Sequence, residues 1–223
     1  MSARNAALAI AALTAAILAI SAALYPSLPA TVPMHWNAAG QPDGWAPKAA
    51  SIAYCVGFLT LMGAMLWGLP WLSPRSFSIE PFRDTFNYVL ALLAGMFVGI
   101  QCLAYYAALH PRADIGKPMF TLLFLCLAAI GNVLGKTRRN FYMGYRCPWT
   151  LASDKVWNAT HRLGARLMFG AGVIGAAAVW LGAPMPACIA VFVVAVLAPF
   201  PYALALYKRL EREGALDHPA AEQ

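Results

Sequence analysis

Residues 6–24 read AALAIAALTAAILAISAAL, a run without a single charged side chain. An α-helix rises about 1.5 Å per residue, so a run of this length can cross a hydrocarbon core of about 30 Å. A secretion signal has a shorter apolar core, usually of about 7 to 15 residues. The stretch therefore predicts a retained transmembrane helix.

The rest of the chain repeats this pattern. Hydrophobic residues make up 61% of the 223 residues and charged residues only 11%, whereas a soluble domain carries roughly a quarter charged residues. The mean hydropathy is +0.62. Of the six apolar stretches that could span the membrane, the fifth contains a charged residue, Arg166, near its start, where a long side chain can extend to the membrane interface. We predict an all-α integral membrane protein, a bundle of six transmembrane helices at about 6–24, 51–72, 85–109, 118–135, 163–181 and 187–207.

The distribution of Lys and Arg predicts the orientation, because cytoplasmic loops hold the positive excess. With the N-terminus inside, thirteen basic residues fall on the cytoplasmic side, and only Lys48, Arg112 and Lys117 fall outside. Both termini are therefore expected in the cytoplasm. The net charge of +7 is then a topology signal and predicts no direct nucleic-acid partner.

Two long connections divide the chain. Residues 1–75 contain the first two helices and an extracytoplasmic loop, 25–50. Residues 76–223 contain four helices, a cytoplasmic loop, 136–162, and a short polar tail, 208–223. The five cysteines include no CxxC pair, so neither a disulfide framework nor a structural zinc site is expected.

The extracytoplasmic loop contains PMHWNAAGQPDGWAPK, residues 33–48. Pro42-Asp43-Gly44 predicts a turn, since Pro presets φ and Gly accepts a positive φ. The polar residues could hydrogen-bond within the loop or converge on a ligand, and the indoles are natural interface anchors. One histidine and one aspartate are too few ligands to predict a metal site. The ligand-binding candidates are His35, Trp36, Asn37, Asp43 and Trp45.

The cytoplasmic connection reads GNVLGKTRRNFYMGYRCPWTLASDKVWNATHRLG, residues 131–164. Ser153 is a plausible N-cap for a helix on which Trp157 and His161 share a face. The basic and aromatic residues could face anionic headgroups. Alternatively, a cytoplasmic surface that engages a partner or holds a polar cluster could be lined by Arg146, Thr150, Trp157 and His161. The functional candidates are Asn132, Asn140, Arg146, Trp149, Thr150, Trp157, Thr160 and His161.

Both stretches resemble known families. Residues 28–48 resemble the DUF1648 motif, whose core runs P-x-H-W/F-N-x-x-G-x-P-D, and residues 131–164 resemble the SdpI family signature, approximately G-N-x-L-x-K, N-x-x-x-G-x-R-x-P-W-T-L and V-W-x-x-T-H-R. Tyr145 and Cys147 depart from the usual pattern, and neither is expected to touch its polar core. The matching positions are Pro33, His35, Asn37, Gly40, Asp43, Gly44, Gly131, Asn132, Asn140, Gly144, Arg146, Pro148, Trp149, Thr150, Trp157, Thr160 and His161.

The resemblance implies a bacterial inner-membrane immunity and signal-transduction protein. Proteins similar to SdpI protect a cell from a toxic peptide secreted by its siblings, and they hold a transcriptional repressor at the membrane. The implied partners are therefore the lipid bilayer, a secreted toxic peptide and a cytoplasmic repressor, with no cofactor.

Two other functions stay open at this stage. In a membrane-embedded enzyme acting on a peptide or lipid, His35 with Asp43, or His161 with Arg146, would supply acid and base. However, the sequence contains neither a serine elbow nor a metal pattern, so no catalytic residue is assigned. A small transporter is less favoured, because the predicted spans contain no acidic residue.

Overall fold

A computed structural model describes residues 1–217, and residues 218–223 at the end of the polar tail lie outside the described residues. Among these described residues, six helical segments are long and apolar enough to cross a membrane, which confirms the predicted all-α membrane fold. The helices are α1 (Ala3–Leu24), α2 (Lys48–Leu72), α3 (Arg83–Leu109), α4 (Gly116–Leu134), α5 (Pro148–Ala152), α6 (Asp154–Trp180), α7 (Met185–Leu197) and α8 (Pro199–Arg212). The strands are β1 (Thr31–Trp36) and β2 (Pro42–Pro47).

The helices pack in two groups. Helices α1, α2 and α3 share one apolar core, which includes Ile17, Leu59 and Phe86. Helix α6 packs along α4 and also contacts α7 and α8. Large apolar side chains such as Trp71 and Ile174 stay exposed on the outer faces, as expected where lipid replaces water.

Close packing of α4 on α6 depends on glycine. A Cβ added at Gly131 would lie 2.6 Å from the backbone nitrogen of Phe169, and one at Gly172 would lie 2.5 Å from the carbonyl oxygen of Phe124. Small residues let helices approach closely in lipid, where apolar burial alone gives no driving force. Gly131 in α4 and Gly172 in α6 are thus part of the close packing between these two helices.

The last predicted span, 187–207, is two helices in the structure. Helix α7 ends at Leu197 and α8 begins at Pro199. Pro199 and Pro201 have no N–H to donate, and the bond from Tyr202 N–H to Ala198 C=O stretches to 3.5 Å. The prolines therefore interrupt the hydrogen-bond ladder at this point.

The two long connections lie at opposite ends of the bundle. Strands β1 and β2 form an antiparallel hairpin that contacts α3 near the start of α4. We call this the hairpin end. The 135–153 segment and the 73–82 segment, which contains two short 3₁₀ turns, lie at the other end, here called the loop end.

Candidate functional site

His35 and Asp43 face each other across the hairpin. His35 Nδ1 lies 2.5 Å from Asp43 Oδ1, and the two side chains are 72% and 42% exposed. The pair is thus a cross-strand contact at the surface. The contact is a hydrogen bond within the loop, which is one of the two alternatives that the sequence leaves open for these polar residues.

Asn37 organises the chain reversal between the strands. Its Oδ1 accepts hydrogen bonds from the N–H groups of Ala39 and Gln41, at 2.9 and 3.1 Å. Gly40 takes φ +76°, and its backbone packs directly on Gly116 at the start of α4. The reversal lies four residues earlier than the predicted turn, because the Asn37 side chain caps it.

The predicted turn at Pro42-Asp43-Gly44 is therefore wrong. These residues belong to β2, and Gly44 does not adopt a positive φ. In β2, Gly44 pairs with His35, and a Cβ at Gly44 would lie 3.0 Å from His35 Cβ. The glycine thus gives His35 room to reach Asp43.

A cleft of about 720 Å³ separates the hairpin from the α3–α4 connection. Of the predicted ligand-binding residues, Trp36 and Trp45 line this cleft, whereas His35, Asn37 and Asp43 do not. Trp45 is 59% exposed, and Trp36 is half-buried. The structure therefore brings the two indoles together on one wall and places the polar pair elsewhere on the hairpin.

The indole nitrogen of Trp36 has no hydrogen-bond partner within residues 1–217, although the atom is buried. A buried donor without an acceptor costs roughly 1–3 kcal/mol, so such a group is a natural place for a ligand acceptor. The opposite wall carries His110, Arg112 and Asp114. Sequence reasoning missed this wall, although three ionisable residues within five positions of a short turn were a usable signal.

At the loop end, His161 is completely buried and joins the loop to α6. Its Nε2 accepts a hydrogen bond from Tyr145 N–H at 2.9 Å, and its Nδ1–H donates to the Trp157 carbonyl at 2.8 Å. One nitrogen accepts and the other donates, so the ring is neutral. The Trp157 ring stacks on it at 4.0 Å, as their spacing on α6 predicts.

Tyr145 belongs to this polar core, contrary to the expectation from the family pattern. Besides its backbone bond, its ring packs edge-on against His161 and Phe200. Burial raises the pKa of the Tyr145 phenol to about 12, which keeps it neutral. A Cβ on Gly164 would lie 2.2 Å from this ring, so the glycine in α6 makes the space for it.

Cys147 also touches the polar core. Its N–H donates to Thr150 Oγ1 at 3.0 Å, and the Thr150 hydroxyl donates to the Tyr145 carbonyl at 2.6 Å. The Cys147 thiol also lies 3.4 Å from Thr150 Oγ1, so both departing residues contact the polar core with side-chain as well as backbone atoms. The prediction that neither residue touches this core is therefore wrong.

Asn140 and Trp157 stabilise the part of the loop that precedes Tyr145 through hydrogen bonds to its backbone. The buried Asn140 amide donates to the carbonyls of Arg138 and Met143, while its oxygen accepts from Tyr142 N–H and Met143 N–H. Trp157 Nε1 donates to the Thr137 carbonyl at 3.2 Å. Four of the predicted residues, Asn140, Thr150, Trp157 and His161, thus form one internal scaffold.

The other candidates lie around this scaffold. Arg146 is exposed and donates to the Phe141 carbonyl, and Trp149 packs against the α8 side. Thr160 is buried, and its hydroxyl has no hydrogen-bond partner among residues 1–217. Asn132 is exposed on α4 and stands apart from the cluster.

The described residues contain no group of three or more His, Cys, Asp and Glu side chains that could hold a metal ion. The buried scaffold also offers no free imidazole nitrogen, because both nitrogens of His161 are bonded inside the protein. This geometry suits a structural role and leaves the hairpin-end cleft as the better place for a ligand.

Two family models match the chain. That of the SdpI/YfhL protein family matches residues 136–203, and that of DUF1648, a domain of unknown function, matches residues 12–60. No curated protein and no solved structure matches. The first segment contains the loop-end scaffold and the second contains the hairpin, so each match falls on a feature described above. The chain is therefore a multi-pass membrane protein whose residues 136–203 are similar to the SdpI/YfhL family and whose hairpin end carries a DUF1648 region.

Proposed function

We propose that this protein protects a bacterial cell by binding a membrane-active toxic peptide in the cleft at the hairpin end. The observation that supports this most is the cleft of about 720 Å³, with two indoles on one wall and an arginine and an aspartate on the other. Apolar rings suit the hydrophobic side chains of such a peptide. The charged groups suit its backbone or termini.

The buried Trp36 N–H adds a directional contact. A peptide carbonyl in the cleft would accept from this N–H and relieve the cost of leaving it unpaired. Aromatic residues with one polar handle are typical anchors in peptide recognition. In this proposal, His35, Asn37 and Asp43 shape the hairpin, while Trp36 and Trp45 contact the peptide.

The proposed orientation places the hairpin outside the inner membrane and both termini in the cytoplasm. It rests on the excess of Lys and Arg at the loop end. A peptide released by neighbouring cells would then reach the cleft before it reached the bilayer interior.

The hypothesis that the loop end holds a cytoplasmic repressor rests on the family resemblance. Enzyme and transport functions have less support. His161 has no free nitrogen, and the buried Gln101 bonds to Ser51 at 3.3 Å within the helix bundle. Binding is therefore the function we propose.

Replacing Trp36 with Phe tests the proposal, because it removes the N–H and keeps an aromatic ring. We expect about a tenfold loss of affinity, in line with the loss of a buried hydrogen bond. Cells producing each variant are challenged with spent medium of sibling cells and with a panel of synthetic membrane-active peptides. Survival and peptide binding to purified protein are measured.

The matched control is Trp71→Phe, the same substitution at an exposed tryptophan of α2 that does not line the cleft. It should protect nearly as well as the wild type once equal membrane levels are confirmed. If the wild type protects against none of the peptides, or if Trp36→Phe and Trp45→Ala both bind like the wild type, the cleft is not the binding site.

A further inference from the structure

A second cleft, of about 460 Å³, opens at the loop end, between the α2–α3 connection and the start of α6. Its polar lining includes three guanidinium groups and three neutral hydrogen-bonding side chains. These are Arg75, Arg138, Arg139, Ser76, Ser78 and Asn158. The cleft is separate from the His161 scaffold and from the hairpin end.

One arginine of this cleft is fixed in place. Arg139 Nε lies 2.7 Å from Asp154 Oδ1, and its NH1 donates to the Leu151 carbonyl at 3.0 Å. Its guanidinium also lies over the Phe77 ring, at 5.8 Å. Phe77 packs on Phe141 at 4.1 Å between ring centroids, so the two loops that form the cleft are held together. The cleft is therefore formed before any ligand binds.

The other two arginines leave positive charge available. Asp154 is the one acidic residue of the lining, and it is engaged by Arg139. Within residues 1–217, the side chains of Arg75 and Arg138 make neither an ion pair nor a hydrogen bond, and both residues are exposed. Ser78 Oγ accepts from Glu80 N–H, which leaves its hydroxyl hydrogen free to donate. Guanidinium forks and hydroxyl donors together match phosphate oxygens.

The position of the cleft selects among phosphate-bearing ligands. It is built where α2 and α4 have just ended and where α3 and α6 begin. These helix ends lie where a membrane-spanning bundle leaves the hydrocarbon core, which is the depth of the lipid phosphates. We propose that the cleft between the α2–α3 connection and α6 binds the phosphate group of an anionic phospholipid.

The test uses the full chain in nanodiscs of phosphatidylcholine with increasing phosphatidylglycerol, with bound lipid counted by native mass spectrometry. The wild type should retain phosphatidylglycerol, and Arg75→Gln with Arg138→Gln should weaken this retention at least about tenfold, as expected for lost charge-assisted hydrogen bonds. Arg162→Gln is the matched control, because Arg162 is an exposed arginine of α6 that does not line the cleft. It should change retention less than about threefold.

Arg138→Lys provides a second variant in case the double variant does not fold. It keeps the charge and loses the planar fork, so retention should fall between those of the wild type and the double variant. Equal losses in the cleft variants and in Arg162→Gln would indicate diffuse surface attraction and overturn the proposal. Tighter binding of inorganic phosphate or of a polyglutamate peptide than of phosphatidylglycerol would also overturn it, in favour of a soluble anion or an acidic protein partner.

Discussion

Gly144 lies at φ +106°, and a Cβ at this position would come within 2.1 Å of His161 Nε2. His161 Nε2 accepts a hydrogen bond from Tyr145 N–H, and the backbone of Gly144 passes close to this nitrogen. The absence of a side chain allows the loop to close on the buried imidazole. The glycine is therefore as much a part of the scaffold as the histidine.

We predict that Gly144→Ala lowers the free energy of unfolding well beyond the strain of a positive φ. Gly182→Ala is the control, since Gly182 also has a positive φ, of +83°, but has open space around it. The control should cost about 1–3 kcal/mol, and Gly144→Ala should cost about 2 kcal/mol more, because the clash breaks a buried hydrogen bond. Thermal unfolding in detergent measures both, and equal costs would contradict the prediction.

At the residue scale, periodicity predicted one contact well. Trp157 and His161 are four positions apart on one helix, and local geometry places them together. Tyr145 could not be found in this way. Its contacts with His161 and Phe200 join residues far apart in sequence, and only the packing of the loop on α6 and α8 creates them.

Helices α4 and α6 form the most extensive helix pair of the bundle, and Gly172 allows their backbones to meet. We predict that Gly172→Ala destabilises the protein by about 1–3 kcal/mol, because overpacking pushes the helices apart. Gly170→Ala, on the same helix but facing open space, should be neutral or slightly stabilising. Chemical denaturation in detergent measures both, and equal behaviour would show that the two helices tolerate separation.

The segment after α8 returns to the start of α6. Asp217 accepts hydrogen bonds from the Ser153 hydroxyl and from Lys155 N–H. Burial alone would raise the pKa of Asp217, but these hydrogen bonds outweigh it and hold the pKa below its ordinary value of 3.8. This contact therefore contributes stability above about pH 4, and the contribution disappears as the pH falls through the lowered pKa.

We predict that Asp217→Asn frees α8 at neutral pH, so that trypsin cleaves after Arg212 several-fold faster. Glu213→Gln is the control, because its contact with Arg209 is a long surface pair at 3.9 Å. Pepsin should cleave the variant faster than the wild type at about pH 4.5, and the difference should shrink as the pH falls through the lowered pKa of Asp217. A difference that does not shrink on acidification would rule out the carboxylate as the cause.

The elements followed from sequence wherever a local pattern was sufficient. The apolar windows predicted the spans, and the N-cap at Ser153 begins α6 as expected. The prediction of a turn at Pro42-Asp43-Gly44 was wrong. The Asn37 side chain and the packing of Gly40 on Gly116 fix the chain reversal at an earlier position in the sequence. Turn propensity alone does not include such a tertiary contact.

For the whole molecule, we predict that the two ends lie on opposite sides of the membrane. A cysteine at exposed Gln41, on the hairpin, should react with a membrane-impermeant maleimide in intact cells. A cysteine at exposed Lys136, at the loop end, should react only after permeabilisation. The five native cysteines are buried or half-buried and should contribute little background. If only the Lys136→Cys variant were labelled in intact cells, the orientation would be the opposite of the predicted one.

The sequence alone determined the membrane class, the six spans and the two segments that matter, because hydrophobic length and motif spacing are local properties. Only the tertiary structure decided which residues act together. It paired His35 with Asp43 away from the cleft, brought Arg112 and Asp114 opposite the two indoles, and closed three arginines around the loop-end cleft. His35 and Asp43 meet across the two strands of one hairpin, whereas the two clefts join distant segments whose approach depends on how the helices pack.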